Sequence, residues 1–263
     1  MAIKYPEFDH VIINIYGPLS ITWYSLAYVM GIMIGWYYLN WLGRYKSISK
    51  YNITDDLINY IILGILLGGR LGYVVFYDLQ NYLEHPLEII KTWKGGMSFH
   101  GGFLGLILAV YLFARKYKIP YLIITDLISC AAPIGLFFGR IANFINGELF
   151  GRATNVAWGI YFENNPSFKF HPSQLYEALA EGLCIFIIQF LLISKSKLSK
   201  KNGFLSASFL MQYSIYRFFI EYFRMPDAHL GTFYNLTMGQ ILSIPMLLLS
   251  IYLFYFSYQN SKK

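Results

Sequence analysis

Residues 57–77 read LINYIILGILLGGRLGYVVFY, a run of 21 positions with one charge, Arg70. A helix needs about 20 apolar residues to cross a bilayer, so this run is long enough to span one. Gly64, Gly68 and Gly72 recur every four positions and line one side of that helix. Lipid gives apolar side chains no reason to cluster, so stripes of small residues are where membrane helices approach each other. Gly31 with Gly35, Gly101 with Gly105, and Gly135 with Gly139 repeat the spacing. Six further apolar runs flank the first, at 19–42, 99–114, 121–141, 175–194, 203–222 and 236–257. The expected fold is an all-α integral membrane domain over 1–263, a seven-transmembrane helix bundle. The longest connection, 142–174, is expected to be an outward-facing loop region forming a small head.

Composition agrees. The 263 residues are 56% hydrophobic and only 13% charged, against about 25% charged in a soluble domain. This excludes a disordered chain and argues against a free cytosolic globule. The net charge of +7 sits in short loops between apolar runs, so membrane topology explains it and a nucleic-acid partner is not expected. Cys130 and Cys184 fall inside apolar runs with no metal-ligand or disulfide spacing. The start, MAIKYPEFDH, lacks a charged-then-apolar leader pattern, so the first apolar segment is expected to be retained. No internal repeat or low-complexity tract is visible.

Lys and Arg decide the orientation, because basic loops stay on the cytoplasmic side. Lys4, Lys91, Lys94, Arg152, Lys169 and Arg224 share the side of the N-terminus. Arg44, Lys46, Lys50, Arg115, Lys116, Lys118, Lys195, Lys197, Lys200, Lys201, Lys262 and Lys263 lie on the other. Twelve against six places the N-terminus outside and the C-terminus in the cytoplasm. All five histidines, His10, His85, His100, His171 and His229, then face outside.

Arg70, Arg140 and Arg217 remain inside even-numbered spans, toward their outer ends. An arginine there costs about 2.5–3.5 kcal/mol on the insertion scale, so it normally faces a cavity or a partner. Glu177, Glu181 and Glu221 are available as partners. Ion pairs that only hold the bundle are one reading. The other is a polar cavity in the outer leaflet with surplus positive charge, where the planar guanidinium fork suits phosphate. On span six, Tyr213, Arg217, Glu221 and Arg224 fall on one helical face, unless Arg224 merely anchors the helix end. In GRIANFINGELFGR, residues 139–152, Arg140, Asn143, Asn146 and Glu148 alternate with Gly147 and Gly151. Such amides, guanidinium and exposed backbone N–H groups can surround a phosphate or polyol. His100 sits in GGMSFHGGFLG, residues 95–105. Glycines there permit tight turns and close approach of a ligand, and histidine exchanges a proton near neutral pH. No metal-ligand spacing accompanies it, and a metal site is not expected.

The segment GRIANFINGELFGR resembles the signature of the prolipoprotein diacylglyceryl transferase family. PEFDHVIINIYGPLSITWYSL, GGRLGYVVFYD, GGMSFHGGFLG, HPSQLYEALAEG, YRFFIEYFRMPDAHLG and MGQILSIPM resemble its other blocks, in order, over nearly the whole chain. Ala142 stands where glycine is usual, and the stretch between Arg152 and His171 is short beside some relatives. The resemblance implies an enzyme of the bacterial cytoplasmic (inner) membrane, with its active site toward the periplasmic leaflet and no cofactor. It implies transfer of the diacylglyceryl group of phosphatidylglycerol to the lipobox cysteine of a prolipoprotein, releasing glycerol-1-phosphate. By the same resemblance Arg140 matches the phosphatidylglycerol-binding arginine, Arg217 a second essential arginine, and Glu221 a carboxylate near it. His100 matches the histidine of the HGG motif, and Tyr24, Asn143, Asn146, Gly151 and Tyr213 match further functional positions.

This chemistry suits the residues. A thiolate would attack the glycerol carbon bearing the phosphate ester, and preorganised cations would stabilise the departing phosphate. Arg140 is assigned to the phosphate of bound lipid, Arg217 to the phosphate as it leaves, and His100 is the candidate base. A phospholipid transporter or flippase is the alternative, but it needs access from both faces and often shows repeats. An intramembrane serine protease using Ser98 and His100 lacks a nucleophile-elbow pattern.

Overall fold

The computed structural model describes residues 3–6, 8–9, 11–16, 19–43, 54–162, 167–226, 232–233 and 236–259. His10, His229, Arg44, Lys46, Lys50, Lys262 and Lys263 lie outside the described residues. The chain forms two compact units, Met1–Leu39 with Asp126–Lys263, and Asn40–Thr125.

In the larger unit, strands β1 (Ile3–Lys4), β2 (Val11–Tyr16) and β3 (Leu19–Thr22) precede helix α1 (Trp23–Leu42). The expected first span therefore starts too early. Residues 19–22 alternate polar and apolar side chains and pair antiparallel with β2, and the helix begins only after a cap. Thr22 Oγ1 accepts from Ser25 N at 3.2 Å, and Ser25 Oγ accepts from Thr22 N at 3.0 Å. This is a reciprocal cap in which serine takes the place of the usual glutamate.

Within the smaller unit, α2 (Thr54–Tyr77) and α4 (Phe99–Tyr117) pack along the glycine stripes, with α3 (Leu79–Glu84) and two short 3-10 turns, Pro86–Ile90 and Thr92–Lys94, between them. A Cβ on Gly64 would lie 2.6 Å from the Gly105 carbonyl oxygen, and one on Gly68 2.7 Å from Gly105 Cα. A Cβ on Gly105 would collide with the Gly64 carbonyl. Overpacking typically costs about 1–3 kcal/mol, and backbone atoms cannot swing aside as a side chain does. Gly105→Val is therefore expected to lower the thermal midpoint of the solubilised protein clearly. Gly35→Ala, whose Cβ meets nothing within 4 Å, should leave it nearly unchanged.

Helix α5 (Tyr121–Ile145) leads into the head. Strands β4 (Ala153–Thr154), β5 (Ile160–Tyr161) and β6 (Lys169–Phe170) join β1 in a four-stranded sheet, ordered β1-β5-β6-β4. The expected loop 142–174 is thus partly helix and partly sheet. Its core is Ile160, Phe162 and Phe170, packed against Tyr5, Phe144 and Phe150. Tyr5 Oη donates to the Phe144 and Ile145 carbonyls at 2.9 and 2.5 Å. Gly147, at φ +63°, ends α5 with the left-handed residue that helix C-termini favour.

The chain continues through α6 (Ser173–Glu177), a π-helical segment (Ala178–Cys184), α7 (Ile185–Lys195), α8 (Phe204–Ile220), the pair β7 (Thr232–Phe233) and β8 (Leu236–Thr237), and α9 (Met238–Gln259). Asp126 caps α8 from α5, accepting from Gly203 N at 2.9 Å and Ser206 N at 2.8 Å. An anion at a helix N-terminus meets both free N–H groups and the positive end of the dipole.

Among the described residues, five helices are long and apolar enough to cross a membrane: Thr54–Tyr77, Phe99–Tyr117, Tyr121–Ile145, Ser173–Lys195 and Met238–Gln259. All five coincide with expected spans. The first and sixth expected spans correspond to α1 and α8, which fall outside this set. The 17-residue α8 is short, and α1 is rich in Tyr and Trp. Large apolar side chains such as Tyr37, Leu67, Phe76, Leu104 and Leu248 are exposed along the helices. Such exposure suits a multi-pass membrane protein, in which lipid covers these faces.

Candidate active site

Four elements of the larger unit bring six charged side chains together. Arg140 comes from α5, Glu177 from the end of α6, and Glu181 from the π-helical segment. Arg217 is on α8, and Glu221 and Arg224 follow it. Glu177 is the hub. Its Oε1 accepts from Arg217 Nη1 at 2.7 Å and from Arg224 Nη1 at 3.0 Å, and its Oε2 lies 2.9 Å from Arg140 Nε. Arg217 Nη2 lies 3.2 Å from Glu221 Oε2. Glu181 is held differently. It sits 3.6 Å from Arg140 Nη2 and 3.7 Å from Arg217 Nη1, fully buried, with no hydrogen bond to either oxygen.

Local sequence explains this convergence. Wide π turns are uncommon and gather at functional sites, and here one begins directly after Glu177. A Cβ on Gly182 would lie 2.7 Å from Phe137 Cβ, so the glycine lets this segment close on α5 and set both carboxylates against Arg140. A Cβ on Gly239 would lie 2.7 Å from Glu221 Oε2, so Gly239 leaves the space that the Glu221 carboxylate fills.

Charge corrects one expectation. Three guanidinium groups, Arg140, Arg217 and Arg224, face three carboxylates, Glu177, Glu181 and Glu221. With all six ionised the set is neutral, and no surplus positive charge stands ready. Arg140 and Arg217 nevertheless keep 18% and 15% of their side chains exposed, while Glu177 and Glu181 keep none. Glu221 keeps 5%, so the exposed surface of the cluster comes mostly from the arginines.

Arg70 corrects a second expectation. It lies in the smaller unit and serves the backbone there. Its Nε donates to Ile89 O at 2.7 Å, Nη1 to Gly95 O at 2.6 Å and Gly96 O at 2.9 Å, and Nη2 to Glu88 O at 2.6 Å. Gly95 and Gly96, at φ +86° and +81°, turn their carbonyls toward it. These glycines thus hold an arginine, and Gly101 and Gly105 seat α4 on α2.

The other expected residues fall as follows. Asn143 is buried and donates to Glu148 Oε1 at 2.7 Å and Tyr24 Oη at 3.3 Å, so Tyr24, Asn143 and Glu148 form one polar group. Asn146 closes the last turn of α5, its N–H on the Ala142 carbonyl at 2.9 Å. Tyr213, one turn before Arg217, is within electrostatic reach of Glu181, Arg217 and Arg140. Gly151 is a joint: its N–H donates to His171 O at 2.8 Å, and a Cβ would meet the Phe223 carbonyl and His171. The next residue donates from Arg152 N to Phe223 O at 2.8 Å and from Arg152 Nε to Arg224 O at 3.0 Å. This joint fixes the chain ahead of Glu177 and around Arg224. Burial holds the His171 imidazole below the usual histidine range, beside Tyr176 Oη at 3.2 Å. His100 belongs to the smaller unit, exposed at the start of α4 with its ring edge-on to Phe99. Glu177 and Glu181, given no role by sequence beyond available partners, and Gly239, read only within the block MGQILSIPM, are the main additions.

A family model described as prolipoprotein diacylglyceryl transferase matches residues 10–256. The chain is similar to proteins named phosphatidylglycerol–prolipoprotein diacylglyceryl transferase in three Rickettsia species. It is 52% identical to that of Rickettsia felis over 254 residues, which cover 95% of this chain and 97% of the relative. For Rickettsia akari the identity is 50% over 253 residues, covering 95% and 97%. For Rickettsia bellii it is 49% over 254 residues, covering 95% and 96%. The matched span holds every arginine and carboxylate of the buried cluster, and the chain belongs to the prolipoprotein diacylglyceryl transferase family.

Proposed function

We propose that this protein transfers the diacylglyceryl group of phosphatidylglycerol to the lipobox cysteine of prolipoproteins. The observation that carries the reading is the meeting of Arg140 and Arg217, from separate helices, on the fully buried carboxylate of Glu177, with part of each arginine side chain left exposed. In the reaction a thiolate sulfur attacks the glycerol carbon bearing the phosphate ester. The C–S bond forms, the C–O bond breaks, and glycerol-1-phosphate leaves with the electron pair. Arg140 holds the phosphate of the bound lipid, and Arg217 takes up the charge that grows on it. The neutral cluster sets the order of events. An entering phosphate takes the place of Glu181, whose contacts are long and make no hydrogen bond. Glu177 keeps the arginines in position throughout.

The thiol gives up its proton before attack, because the thiolate is the nucleophile. His100 is the proposed base. Tyr24, Asn143, Asn146, Glu148, Gly151 and Tyr213 line or shape the substrate site, Gly151 through the joint it forms. The reading has seven spans, an outside N-terminus and a cytoplasmic C-terminus, with the chemistry in the outer leaflet of the bacterial cytoplasmic membrane. The basic-residue asymmetry supports that orientation, and so does the need of the lipobox cysteine to be reached after export.

Purified protein, phosphatidylglycerol and a lipobox peptide test the function. Thioether-linked peptide together with glycerol phosphate is the expected product, read by mass spectrometry. Peptide cleavage would indicate a protease, and lipid movement without either product a transporter. A near-normal rate and pH profile in His100→Gln would remove His100 from the base role. Gly239→Ala pushes only the tip of Glu221, so the fold should survive it. Small misplacements near the chemistry are costly, and transfer is expected to fall about tenfold with an almost unchanged thermal midpoint.

A further inference from the structure

Beside the ion cluster stands a set of aromatic rings that the transfer chemistry does not use. Trp158 precedes β5, His171 follows β6, Tyr176 is on α6, and Phe223 lies in the turn after α8. Trp158 is largely exposed, yet its indole Nε1 donates to Tyr176 Oη at 2.6 Å. His171 Nδ1 lies 3.2 Å from the same oxygen. An indole N–H can only donate, so Tyr176 Oη accepts there and keeps its own proton to give. Among the described residues His171 Nδ1 is the acceptor in reach, which puts the imidazole proton on Nε2. Phe223 closes the set. Its ring meets His171 edge-on with centroids 5.1 Å apart, and Tyr176 edge-on at 6.0 Å. Edge-to-face pairs of this kind are favourable beyond the area they bury.

Two of these rings stand next to cluster residues in the chain. Tyr176 precedes Glu177, and Phe223 precedes Arg224. Glu177 Oε1 and Arg224 Nη1 meet at 3.0 Å, so the rings hold the chain on both sides of one ion pair. Glu177 needs such a hold. Helix α6 is five residues long and passes straight into the π-helical segment. The regular ladder thus breaks just after Glu177, and a single turn lies ahead of it. Neighbouring side chains leave a helix about 100° apart, so pinning the Tyr176 phenol sets the rotation at which the Glu177 carboxylate reaches Arg140, Arg217 and Arg224. Backbone bonds tie the other side to the same place. Arg152 N donates to Phe223 O at 2.8 Å, and His171 N to Arg152 O at 3.0 Å.

We infer that Tyr176, held by Trp158 and His171 and packed on Phe223, is a positioning residue for diacylglyceryl transfer. It sets the Glu177–Arg224 pair and, through Glu177, the two arginines that receive the phosphate. This rests on the transfer reading. The phenol acts through Glu177 and is not itself catalytic.

Tyr176→Phe removes one hydroxyl and keeps the ring. With phosphatidylglycerol and a lipobox peptide, kcat is expected to fall about tenfold, while KM for the lipid and the thermal midpoint change little. His171→Leu should lose as much. His171→Asn, whose Oδ1 supplies an acceptor near the place of Nδ1, should recover most of the rate. The two groups act as one unit, so Tyr176→Phe combined with His171→Leu should be no slower than either alone. Unchanged kcat in Tyr176→Phe would overturn the inference, as would losses that multiply in the double variant. A loss confined to KM would also overturn it, by placing the phenol on the lipid. A lowered midpoint with normal kcat would leave the ring set a purely structural role. Should Tyr176→Phe fail to fold, Trp158→Phe, at an exposed position, should show the same loss in kcat alone, smaller in size. The structure of the Tyr176→Phe protein gives a readout independent of the reaction. The Glu177–Arg224 contact is expected to open beyond hydrogen-bond distance, and a contact kept at 3.0 Å refutes the clasp. Unaltered protein that forms no thioether refutes the transfer reading instead, and the structural readout then decides the clasp.

Discussion

Arg217→Gln is expected to lower kcat for diacylglyceryl transfer by on the order of 10²–10³-fold while changing KM for phosphatidylglycerol little. In the proposed role the guanidinium meets the extra negative charge that the bound phosphodiester lacks and the departing glycerol phosphate carries, so its loss would be felt in the transition state. Its surroundings sharpen the effect, because a donor held in a buried, preformed array needs no reorganisation when charge appears. Arg140→Gln should divide differently. An arginine that holds the phosphate from the start contributes to ground and transition states alike, so KM rises and kcat changes less. Lysine at either position keeps the charge and loses the planar fork, and should restore only part of the rate. Steady-state kinetics with varied lipid separate the two assignments. Equal effects of both variants on KM and kcat would contradict them.

Glu177→Gln should damage fold and rate together. Its carboxylate meets Arg140, Arg217 and Arg224 at 2.9, 2.7 and 3.0 Å and is fully buried. Removing one partner of a buried ionic set leaves charge uncompensated, typically at about 3–5 kcal/mol. The thermal midpoint of the solubilised protein should drop accordingly. Glu181→Gln is the informative contrast. Glu181 makes no hydrogen bond, so its loss should cost less stability. If phosphate displaces it, the variant should also bind phosphatidylglycerol more tightly. A Glu181→Gln protein with weaker lipid binding would refute that displacement.

Much of this architecture is legible in the amino-acid order, for reasons that differ by element. Long spans announce themselves through runs such as 57–77, and the stripe Gly64, Gly68, Gly72 points correctly to close helix packing. The head does not, since its strands are two residues long and β1 arrives from the far end of the chain. Residues 19–22 look like the start of a span by hydropathy, and only the Thr22–Ser25 cap marks where the helix begins. Arg140 and Arg217 are legible because an arginine at apolar depth demands a reason. Arg70 raises the same demand and receives a different answer: carbonyls left free by 3-10 turns and two left-handed glycines. Burial depth cannot distinguish those cases, because the partners are backbone atoms invisible to residue type. Glu177 is visible as a carboxylate, but its place at the centre of three arginines depends on the π turn and on Gly182. Gly239 carries no chemistry of its own and becomes meaningful only beside Glu221.

The central claim concerns one spot. A high-resolution structure of the protein with phosphatidylglycerol bound in a nanodisc should place the lipid phosphate within hydrogen-bond distance of both Arg140 and Arg217, with Glu181 moved off them and Glu177 still in contact. A lipid phosphate bound elsewhere, with both arginines still against Glu177 and Glu181 as they are now, would contradict it.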